Sequence, residues 1–357
     1  MDVPRETPHN KAQNKLEGKL QDVAERYSVA ITPVMRELID ADVADGPIAK
    51  QFLPDARELI HRPDESPDPI GDDRYSPVTG IVHRYPDRVL LLPVTVCPVY
   101  CRYCFRRETV GAGEHAVLGD TELTAAFDYI RAQPEIWEVI LSGGDPLILS
   151  PRRLSSILEQ LRKIPHVRVI RIHSRVPLVA PERITETLSR TLRAAAPLFV
   201  VLHCNHADEF TGVGEQACAR LVDAGVPMLS QSVLLRGIND DVATLERLFR
   251  RLVENRIKPY YLHHMDRAPG TSHFRTSIGR GRTLTEALRG QVSGLCQPSY
   301  VLDVPGGYGK TPLSREYAQR DDNGCWQIRD YRDTQHHFED SQDSPHENRR
   351  QNDCEEP

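Results

Sequence analysis

Three cysteines within eight residues have the most evident capacity for chemistry in this sequence. Cys97, Cys101 and Cys104 form a C-x3-C-x2-C pattern directly after the apolar run LLLPVTV. Soft thiolates select zinc, Cu(I) or iron–sulfur clusters, but no nearby Cys or His supplies the fourth ligand of a structural zinc site at finger spacing. Three cysteines on a four-iron cluster would leave one iron free to chelate a small molecule. An incomplete zinc site and a chance grouping are the alternatives.

A second candidate lies at the end of the next predicted strand, where the chain reads Ser142-Gly143-Gly144-Asp145-Pro146. Two adjacent glycines allow a backbone to approach a ligand closely. The same residues also suit a turn between a strand and a helix. The position, on the strand that follows the cysteine loop, favours a binding role.

A lysine in a glycine-rich loop is the third candidate. Residues 305–312 read PGGYGKTP and follow the apolar run SYVLDV, with Lys310 as the lysine. The phosphate-binding pattern G-x-x-x-x-G-K-[ST] fails, because Val304 stands where its first glycine is required and Pro312 interrupts a following helix. The remaining interpretations are a Schiff-base lysine for pyridoxal phosphate (PLP) and an exposed loop lysine.

The elements between these residues follow the period of a parallel α/β fold. Short β-branched runs predict six strands, at 89–94, 138–141, 167–172, 198–202, 228–233 and 259–262. Amphipathic stretches predict the helices between them, at 121–132, 151–163, 181–194, 214–224 and 242–255. After the first unit the strands recur about every 30 residues, as in βα units. Six units do not complete an eight-stranded barrel, so we predict an open six-unit barrel.

The two ends of the chain differ from this central part. The start is polar and predicts a frayed arm or a surface helix, and residues 61–80 are dense in Pro, Asp and Gly, as in loops. Residues 333–357 have almost no apolar content, which predicts disorder, with His336 and His337 as solvated surface. The predicted division is an N-terminal extension over 1–80, a barrel over 81–303, a segment with Lys310 over 304–332, and the tail over 333–357.

Composition narrows the classes of function. The chain has 357 residues, of which 39% are hydrophobic and 27% charged, an ordinary soluble balance. No apolar run approaches the roughly 20 residues of a membrane span, and the first residues contain no signal-peptide core. A net charge of −6 leaves no general basic footprint for nucleic acid. We expect a cytoplasmic protein that binds neither membranes nor nucleic acid.

Taken in order, the motifs resemble those of the lysine 2,3-aminomutase family, radical enzymes that use S-adenosylmethionine (SAM) and PLP. The cysteine loop, with an aromatic residue before its last cysteine, is similar to the radical SAM signature. The other matching stretches are HRYPDR (83–88), SGGDPL (142–147), HSRVPLVAPERIT (173–185), QSVLLRGIND (231–240), KPYYLHHMD (258–266), HFRT (273–276), LRGQVSG (288–294) and PGGYGKTP (305–312).

This resemblance covers roughly residues 75–315 and implies both a fold and an activity. The fold would be an α/β partial (β/α)6 radical SAM barrel with an N-terminal helical extension and a short C-terminal segment carrying the PLP lysine. The activity would be that of an isomerase, which converts L-α-lysine to β-lysine by moving the amino group from carbon 2 to carbon 3.

The resemblance also implies roles for individual residues. Lys310 matches the catalytic lysine that binds PLP covalently, and Arg106 matches the arginine that holds the substrate carboxylate, a natural bidentate pair. The ligands of a [4Fe–4S] cluster would be Cys97, Cys101 and Cys104. SAM would be bound by Tyr103 near the adenine, by Gly143, Gly144 and Asp145 near the methionine part, and by His203 and Gln231. PLP would be anchored by Arg84, Tyr85, Arg88 and Lys310.

Two acids decide the expected substrate. Asp266 and Asp303 match the family aspartates that hold the ε-ammonium of lysine, and two carboxylates around one cation are favourable in a partly buried site. A relative acting on glutamate would need a basic or neutral residue there, and an aminomutase for another amino acid stays the alternative. The resemblance also implies a reducing protein such as flavodoxin or ferredoxin, and a homo-oligomer.

Some features depart from the clostridial-type members of the family. Those members close a structural zinc site with an internal cysteine, where this chain has Asp241, and with a C-terminal cysteine group, where it has only Cys325 and Cys354. We therefore expect no zinc. The shorter chain and Tyr308, in place of a glycine, are similar to short relatives that make β-lysine for the modification of elongation factor P, and a role in that pathway is the alternative.

Two rival classes of function stay open at this point. A radical SAM protein without aminomutase activity, acting as a binding partner in the elongation factor P pathway, would show no PLP absorbance. A NAD-binding protein is weakly suggested by GVGEQA (212–217), but HADEFT separates this motif from the strand before it. The cysteines that we expect not to be ligands are Cys204, Cys218, Cys296, Cys325 and Cys354.

Overall fold

The N-terminal extension is helical and packs beside the cysteine loop. The computed structural model describes residues 8–43, 45–111, 116–320 and 326–338. The first helices are α1 (Pro8–Arg26), α2 (Pro33–Ala41) and α3 (Pro47–Phe52). Thr32 caps α2 by accepting a hydrogen bond from the Met35 N–H, with Pro33 at the first helical position. The apolar side chains of α2 and α3 bury a small core against the cysteine loop and its surroundings: Met35, Ile39, Ile48, Ala49, Phe52, Val99 and Val179.

Nine strands form one sheet in which each strand neighbours the one before it in the chain. Strands β2 to β8 run parallel to one another, while the edge strands β1 and β9 are antiparallel to their neighbours. The strands are β1 (Ile81–Tyr85), β2 (Arg88–Val94), β3 (Glu138–Gly143), β4 (Val169–Ser174), β5 (Leu198–His203), β6 (Met228–Val233), β7 (Ile257–His263), β8 (Ser299–Val304) and β9 (Gly309–Pro312).

Helices connect the parallel strands and bury one apolar face each. They are α4 (Asp120–Ala132), α5 (Pro151–Arg162), α6 (Val176–Val179), α7 (Glu186–Ala194), α8 (Gly212–Asp223), α9 (Val242–Glu254) and α10 (Ile278–Leu288). In α9 the buried residues Leu245, Leu248, Phe249 and Leu252 recur at helical spacing. Within the described residues, no helix is long and apolar enough to cross a membrane.

The two edges of the sheet approach each other, so the sheet is a nearly closed partial barrel. The backbone N–H of Lys310 on β9 donates to the hydroxyl of Tyr85 on β1 at 2.7 Å. Arg84 Nη1 on β1 lies 3.8 Å from Asp303 Oδ1 on β8. Side chains therefore join the edges where backbone pairing between β1 and β9 does not. The predicted α/β partial barrel is confirmed.

Each predicted strand exists within two residues of its predicted bounds. The structure adds β8 as a seventh parallel strand, because the apolar run before the lysine loop pairs with β7. The helix predicted to begin at Pro181 begins instead at Glu186, since the Thr185 hydroxyl caps the Leu188 N–H and Pro181 starts only a short 3₁₀ turn. Residues 61–80 form a loop with one 3₁₀ turn, as predicted.

A small separate sheet follows the barrel. Its strands are β10 (Ala318–Arg320), β11 (Trp326–Arg329) and β12 (Gln335–Phe338), paired antiparallel in that order. The start of the predicted disordered tail over 333–357 is therefore a strand, because backbone pairing with β11 needs no apolar side chains. His336 is exposed, as expected, and pairs with Asp330 at 3.0 Å. Residues 339–357 and Cys325 lie outside the described residues, and the predicted division into segments stays a prediction.

Candidate active site

One cavity of about 500 Å³ brings together every residue that the sequence singled out for binding or catalysis. It opens among the loops at the carboxyl ends of the parallel strands and reaches along the inside of the sheet. Such loops carry the sites of α/β barrels generally. The predicted residues that line it are Arg84, Tyr85, Arg88, Cys97, Cys101, Tyr103, Cys104, Arg106, Gly143, Gly144, Asp145, His203, Gln231, Asp266, Asp303 and Lys310. We call the part around Cys97, Cys101 and Cys104 the cysteine end, and the part around Lys310, Asp303 and Asp266 the lysine end.

The three thiols of the cysteine end fit an iron–sulfur cluster. Burial, the charge of Asp145 and the neighbouring thiolates raise the pKa of Cys97, and burial together with Cys101 raises the pKa of Cys104 to about 11. Three thiolates there would repel one another without a cationic partner. The described residues contain no group of three His, Cys, Asp or Glu that could hold a single metal ion. A four-iron cluster does not need such a group, because each cysteine binds a different iron.

Arg175 lies beside these thiols in a buried network that the sequence analysis missed. Its Nη1 donates to the Cys101 sulfur at 3.1 Å and to the Tyr103 hydroxyl. Its Nη2 donates to Gln51 Oε1 at 2.9 Å and to the carboxylate of Glu209. Gln51 belongs to α3, so the N-terminal extension contributes directly to the cysteine end.

The two glycines of SGGDP are required by neighbouring backbone. Gly143 has φ +105°, and a Cβ there would lie 2.4 Å from the Val94 carbonyl oxygen. A Cβ on Gly144 would lie 2.2 Å from the carbonyl oxygen of Val96. The glycines thus allow the end of β3 to pack against the start of the cysteine loop, which leaves their predicted SAM contact as a proposal.

Asp145 lies in the cavity wall but is already engaged by the protein. Its carboxylate accepts hydrogen bonds from Ser174 Oγ and from the backbone N–H groups of Leu147, Arg175 and Val176, at 2.7–3.2 Å. Burial still raises its pKa above the usual range, against the effect of these donors. The geometry thus gives Asp145 a structural role that joins the ends of β3 and β4.

The next two predicted SAM positions lie side by side on the sheet. His203 ends β5 and pairs in register with Gln231 on β6. Burial holds the pKa of His203 well below its usual value, so the imidazole is neutral, and its Nε2 has no partner among the described residues. The Tyr103 ring lies tilted against His203 with centroids 6.0 Å apart. A buried nitrogen without a partner beside an aromatic ring suits a polar ligand group.

The lysine end is built around Asp303. Its Oδ1 accepts a hydrogen bond from Lys310 Nζ at 2.8 Å, and its Oδ2 lies 3.4 Å from His263 Nδ1. Burial would raise the pKa of Asp303, but the hydrogen bond from His263 and the charge of Lys310 outweigh it and hold the pKa well below its usual range. Asp303 is therefore a permanent anion.

Asp266 lies in the same cavity but titrates differently. Burial and the charge of Asp303 raise the pKa of Asp266 to about 7. The pKa of Asp303 is thus shifted below the usual value of an aspartate and that of Asp266 above it. Asp303 is ionised at all ordinary pH, whereas Asp266 is about half-ionised at neutral pH. A cationic ligand between them would favour ionisation of both.

Two arginines of the lysine end share one carboxylate. Asp72, in the loop before β1, accepts from Arg84 Nη2 at 2.8 Å with Oδ1 and from Arg106 Nη2 at 2.7 Å with Oδ2. Arg84 Nε is buried without a partner among the described residues, and Arg88 lies 3.8 Å over the Tyr85 ring. The arginines are hydrogen-bond donors that fit the phosphate group of PLP. The amine of Lys310 is the group that can react with the aldehyde of PLP.

The sequence analysis assigned no role to several polar residues of this cavity, among them Asp72, His173, Arg175 and His263. Asp72 was read only as part of a loop, while His173 and Arg175 were quoted within a motif without a role. Burial lowers the pKa of His173 well below its usual value, and its Nε2 has no partner among the described residues. A signal was present for both histidines, since each directly follows the last residue of a predicted parallel strand.

At Asp241, where the resemblance implies a zinc cysteine in clostridial-type members, the side chain caps a helix. Asp241 caps α9, and its Oδ1 accepts from the Thr244 N–H at 2.9 Å. Cys204, Cys218 and Cys296 are buried with free thiols. Cys325 and Cys354 lie outside the described residues, so the expected absence of zinc stays a prediction.

A nearly closed sheet of parallel strands, with a three-cysteine loop after its first parallel strand and glycines after the second, defines a radical SAM protein. A model described as a 4Fe-4S single cluster domain matches residues 86–172, which include the cysteine loop. The protein thus uses a [4Fe–4S] cluster and SAM.

Relatives narrow this class to a family. The chain is 43% identical to an L-lysine 2,3-aminomutase of Fusobacterium nucleatum over 86% of this chain and 72% of that protein. It is 39% identical to an L-lysine 2,3-aminomutase of Escherichia coli, over 77% of this chain and 80% of that protein. A glutamate 2,3-aminomutase of Clostridioides difficile is 37% identical over 84% and 70%. The chain belongs to the lysine 2,3-aminomutase family.

Proposed function

We propose that the protein is an L-lysine 2,3-aminomutase that produces β-lysine. The observation that carries the proposal is the joint lining of one cavity by three thiols, a lysine with a carboxylate partner, and two acids that suit a second ammonium group. The family supplies the reaction type, and the lysine end supplies the substrate class. The relatives of lysine type support the same substrate.

Arg106 and the two acids would bind the opposite ends of the substrate. Arg106 Nε and Nη2 face Asp72, which leaves the other edge of the guanidinium available for a substrate carboxylate in bidentate geometry. Asp303 already holds one ammonium group, that of Lys310, at 2.8 Å. The same oxygen would hold the ε-ammonium of lysine when Lys310 is engaged by the cofactor, with Asp266 as the second carboxylate.

The cofactors would be held by residues at both ends of the cavity. Cys97, Cys101 and Cys104 would bind the cluster, while His203, Gln231 and Tyr103 would contact SAM. Lys310, Arg84, Arg88 and Tyr85 would bind PLP. When bound, the cluster and SAM supply a carbon radical that abstracts hydrogen, and PLP supplies an aromatic system that stabilises an adjacent radical. The protein aligns the groups and excludes water from them.

Glutamate is the second candidate substrate, because one relative carries that name. The side-chain carboxylate of glutamate would have to lie beside Asp303, which is ionised, and Asp266, which is half-ionised near neutral pH. Like charges at such distances repel strongly in a buried site. The lysine end therefore favours an ammonium group over a carboxylate.

The first test is a reaction with labelled substrate. The full chain is reconstituted without oxygen with iron, sulfide and PLP, reduced, and incubated with SAM and ¹³C-labelled L-lysine. We expect the carbon NMR signals of β-lysine, and none from labelled L-glutamate in a parallel reaction. Deoxyadenosine without β-lysine would show that the radical machinery works on another amine and would contradict the assigned roles of Asp266 and Asp303.

The biological partners follow from the same proposal. A low-potential reducing protein such as flavodoxin or ferredoxin would supply the electron, and reduced thiols together with an oxygen-sensitive cluster suit the cytoplasm. The chain spans more of the Escherichia coli relative than of the Fusobacterium relative, which suits the short members of the family. We propose that its β-lysine serves elongation factor P modification and that it acts as a homo-oligomer.

A further inference from the structure

The guanidinium of Arg175 is directed at a cluster ligand. Its Nη1 lies 3.1 Å from the Cys101 sulfur, and the residue is 5% exposed. At this distance an N–H donates to sulfur, and the donor residue is buried while the Cys101 sulfur faces the cavity. The contact is with the ligand atom itself, and a thiolate bound to iron keeps lone pairs that accept such a hydrogen bond.

The surroundings of Arg175 fix the orientation of its guanidinium. Nη2 is held by the carboxylate of Glu209 and by Gln51 Oε1 at 2.9 Å, and Cζ lies 4.8 Å from the centre of the Phe52 ring. Glu209 is itself fully buried and accepts from the backbone N–H groups of Asn205 and His206 at 2.9 and 3.0 Å. These anchors come from the barrel and from α3, so the two parts of the chain hold the arginine together.

An ion pair with Glu209 alone does not account for this arrangement. That pair uses Nη2, whereas the contacts with Cys101 and Tyr103 use Nη1. A lysine would satisfy Glu209 with one ammonium group but has no second planar donor to present to sulfur. The two terminal nitrogens of the arginine, which form the fork of its guanidinium, connect the buried carboxylate of Glu209 to the sulfur of Cys101.

We infer that Arg175 is a positioning residue that tunes the reduction potential of the [4Fe–4S] cluster by donating a hydrogen bond to the thiolate of Cys101. The inference deepens the proposed function and rests on the cluster being bound by the three cysteines. One-electron reduction, by the low-potential reductant of the reaction, adds a negative charge to the cluster and its sulfur ligands. A fixed donor and a buried positive charge beside one ligand stabilise the reduced state, so they raise the potential.

The test is a redox titration of the reconstituted full chain without SAM, with the reduced cluster followed by electron paramagnetic resonance. The variants are Arg175→Met, Arg175→Lys and Gln51→Leu, and iron and sulfide are measured for each. In Arg175→Met we expect at least a tenfold fall in the ratio of reduced to oxidised cluster at a fixed potential, which is about 59 mV for one electron. Arg175→Lys keeps the charge without the fork and should recover part of this change.

Two further variants separate tuning from general damage. Gln51→Leu changes no charge but releases one anchor of the guanidinium, and it should lower the ratio in the same direction by a smaller factor. Arg183→Met is the matched control and should leave the ratio unchanged, because among the described residues Arg183 donates to the backbone carbonyls of residues 147–149 and to no cysteine.

The outcomes distinguish this inference from the proposed function. An unchanged midpoint potential in cluster-loaded Arg175→Met overturns the inference and leaves the aminomutase proposal standing. If Arg175→Met does not load a cluster, an unchanged potential in loaded Arg175→Lys and Gln51→Leu overturns it instead. A wild-type chain that binds no cluster through its three cysteines would overturn the proposed function together with the inference.

Discussion

The two ends of the cavity are held in place by different kinds of structure. At the cysteine end, fully buried carboxylates fix arginines around a short stretch of chain: Glu58 pairs with Arg102 and Arg107, and Glu209 pairs with Arg175. At the lysine end, groups from β1, β8, β9 and the loop before β1 meet across the gap between the sheet edges, and they range from the buried Asp303 to Lys310, whose side chain is 32% exposed. The ion pairs around the cysteine end are almost fully buried, whereas the pair of Asp303 and Lys310 lines the cavity, where a ligand can replace one partner.

This difference suits two different tasks. A cluster needs a fixed ligand set and a constant electrostatic surrounding, because both determine its potential. A site that receives a charged substrate and a cofactor needs groups that can leave one partner for another. Asp303 holds Lys310 but faces the cavity, and Asp72 holds Arg106 by only one edge of the guanidinium. The comparison predicts that the two ends can be damaged independently.

The largest effects separate the two ends directly. In Lys310→Ala, we expect iron and sulfide content to stay at the wild-type level while β-lysine formation falls below detection, because the covalent attachment of PLP is lost. In Cys101→Ser, we expect the cluster and the turnover to be lost together. Cys218→Ser, a buried cysteine of α8, is the control and should keep both. Turnover by Lys310→Ala would contradict the assigned role of this lysine.

The deep burial of the ion pairs around the cysteine end should appear as stability. Glu58→Gln leaves two buried guanidinium groups, of Arg102 and Arg107, without their anion, and removal of one partner of such a pair costs about 3–5 kcal/mol. Urea unfolding of the full chain followed by circular dichroism measures this loss in free energy of unfolding. The more exposed pair of Arg26 and Glu108 is the control, and Glu108→Gln should cost less than about 1 kcal/mol. Equal losses in free energy of unfolding in the two variants would show that the buried ion pairs of Glu58 contribute no more to stability than an exposed pair.

The sequence indicated the cysteine end more completely than the lysine end, for a physical reason. The cysteine ligands lie within one loop, so their spacing alone indicates their chemistry. Strand spacing gave the barrel, since each βα unit is local in the chain. Every candidate residue lines the cavity, although their individual roles stay predictions.

The groups that were missed depend on contacts between distant parts of the chain. Asp72 meets Arg106 34 residues later, and Arg175 meets Gln51 124 residues earlier. His263 reaches Asp303 because β7 and β8 are neighbours in the sheet. A loop rich in Asp and Pro does not reveal which of its acids faces a cavity. The strand register, which sets His263 opposite Val301 and so brings its side chain within reach of Asp303, is a property of the folded sheet.

The choice of substrate tests the lysine end next. Asp303→Asn removes the permanent anion, and loss of a hydrogen bond to a charged group costs about 1.5–3 kcal/mol, or roughly 10- to 100-fold in KM for lysine. L-norleucine, which has no ε-ammonium, is the matched control substrate and should be affected less than lysine. An equal effect on both substrates would mean that Asp303 acts only through Lys310.

The pH dependence should report on Asp266. Its pKa of about 7 means that the group gains its charge between pH 6 and 8, while Asp303 stays ionised over that range. Because only ionised Asp266 attracts an ammonium group, kcat/KM for lysine should rise with pH by up to about tenfold, as the ionised fraction rises. Asp266→Asn should remove this rise. A wild-type profile that falls over the same range would contradict the assignment.

The smallest expected effect concerns Asp72. Its substitution tests whether this carboxylate orients Arg106 for the substrate or competes with the substrate for Arg106. If Asp72 orients Arg106 for the substrate carboxylate, Asp72→Asn should raise KM for lysine about two- to tenfold, the cost of one weakened hydrogen bond. If Asp72 instead competes with the substrate for Arg106, the same variant should lower KM. Asp72 contacts the Nε and Nη2 edge and leaves the opposite edge available, so we expect the rise. Asp73→Asn, at the exposed neighbouring residue, is the control and should leave KM unchanged. The sign of the change in KM for Asp72→Asn then shows whether Arg106 must leave Asp72 to bind the substrate or can bind both at once.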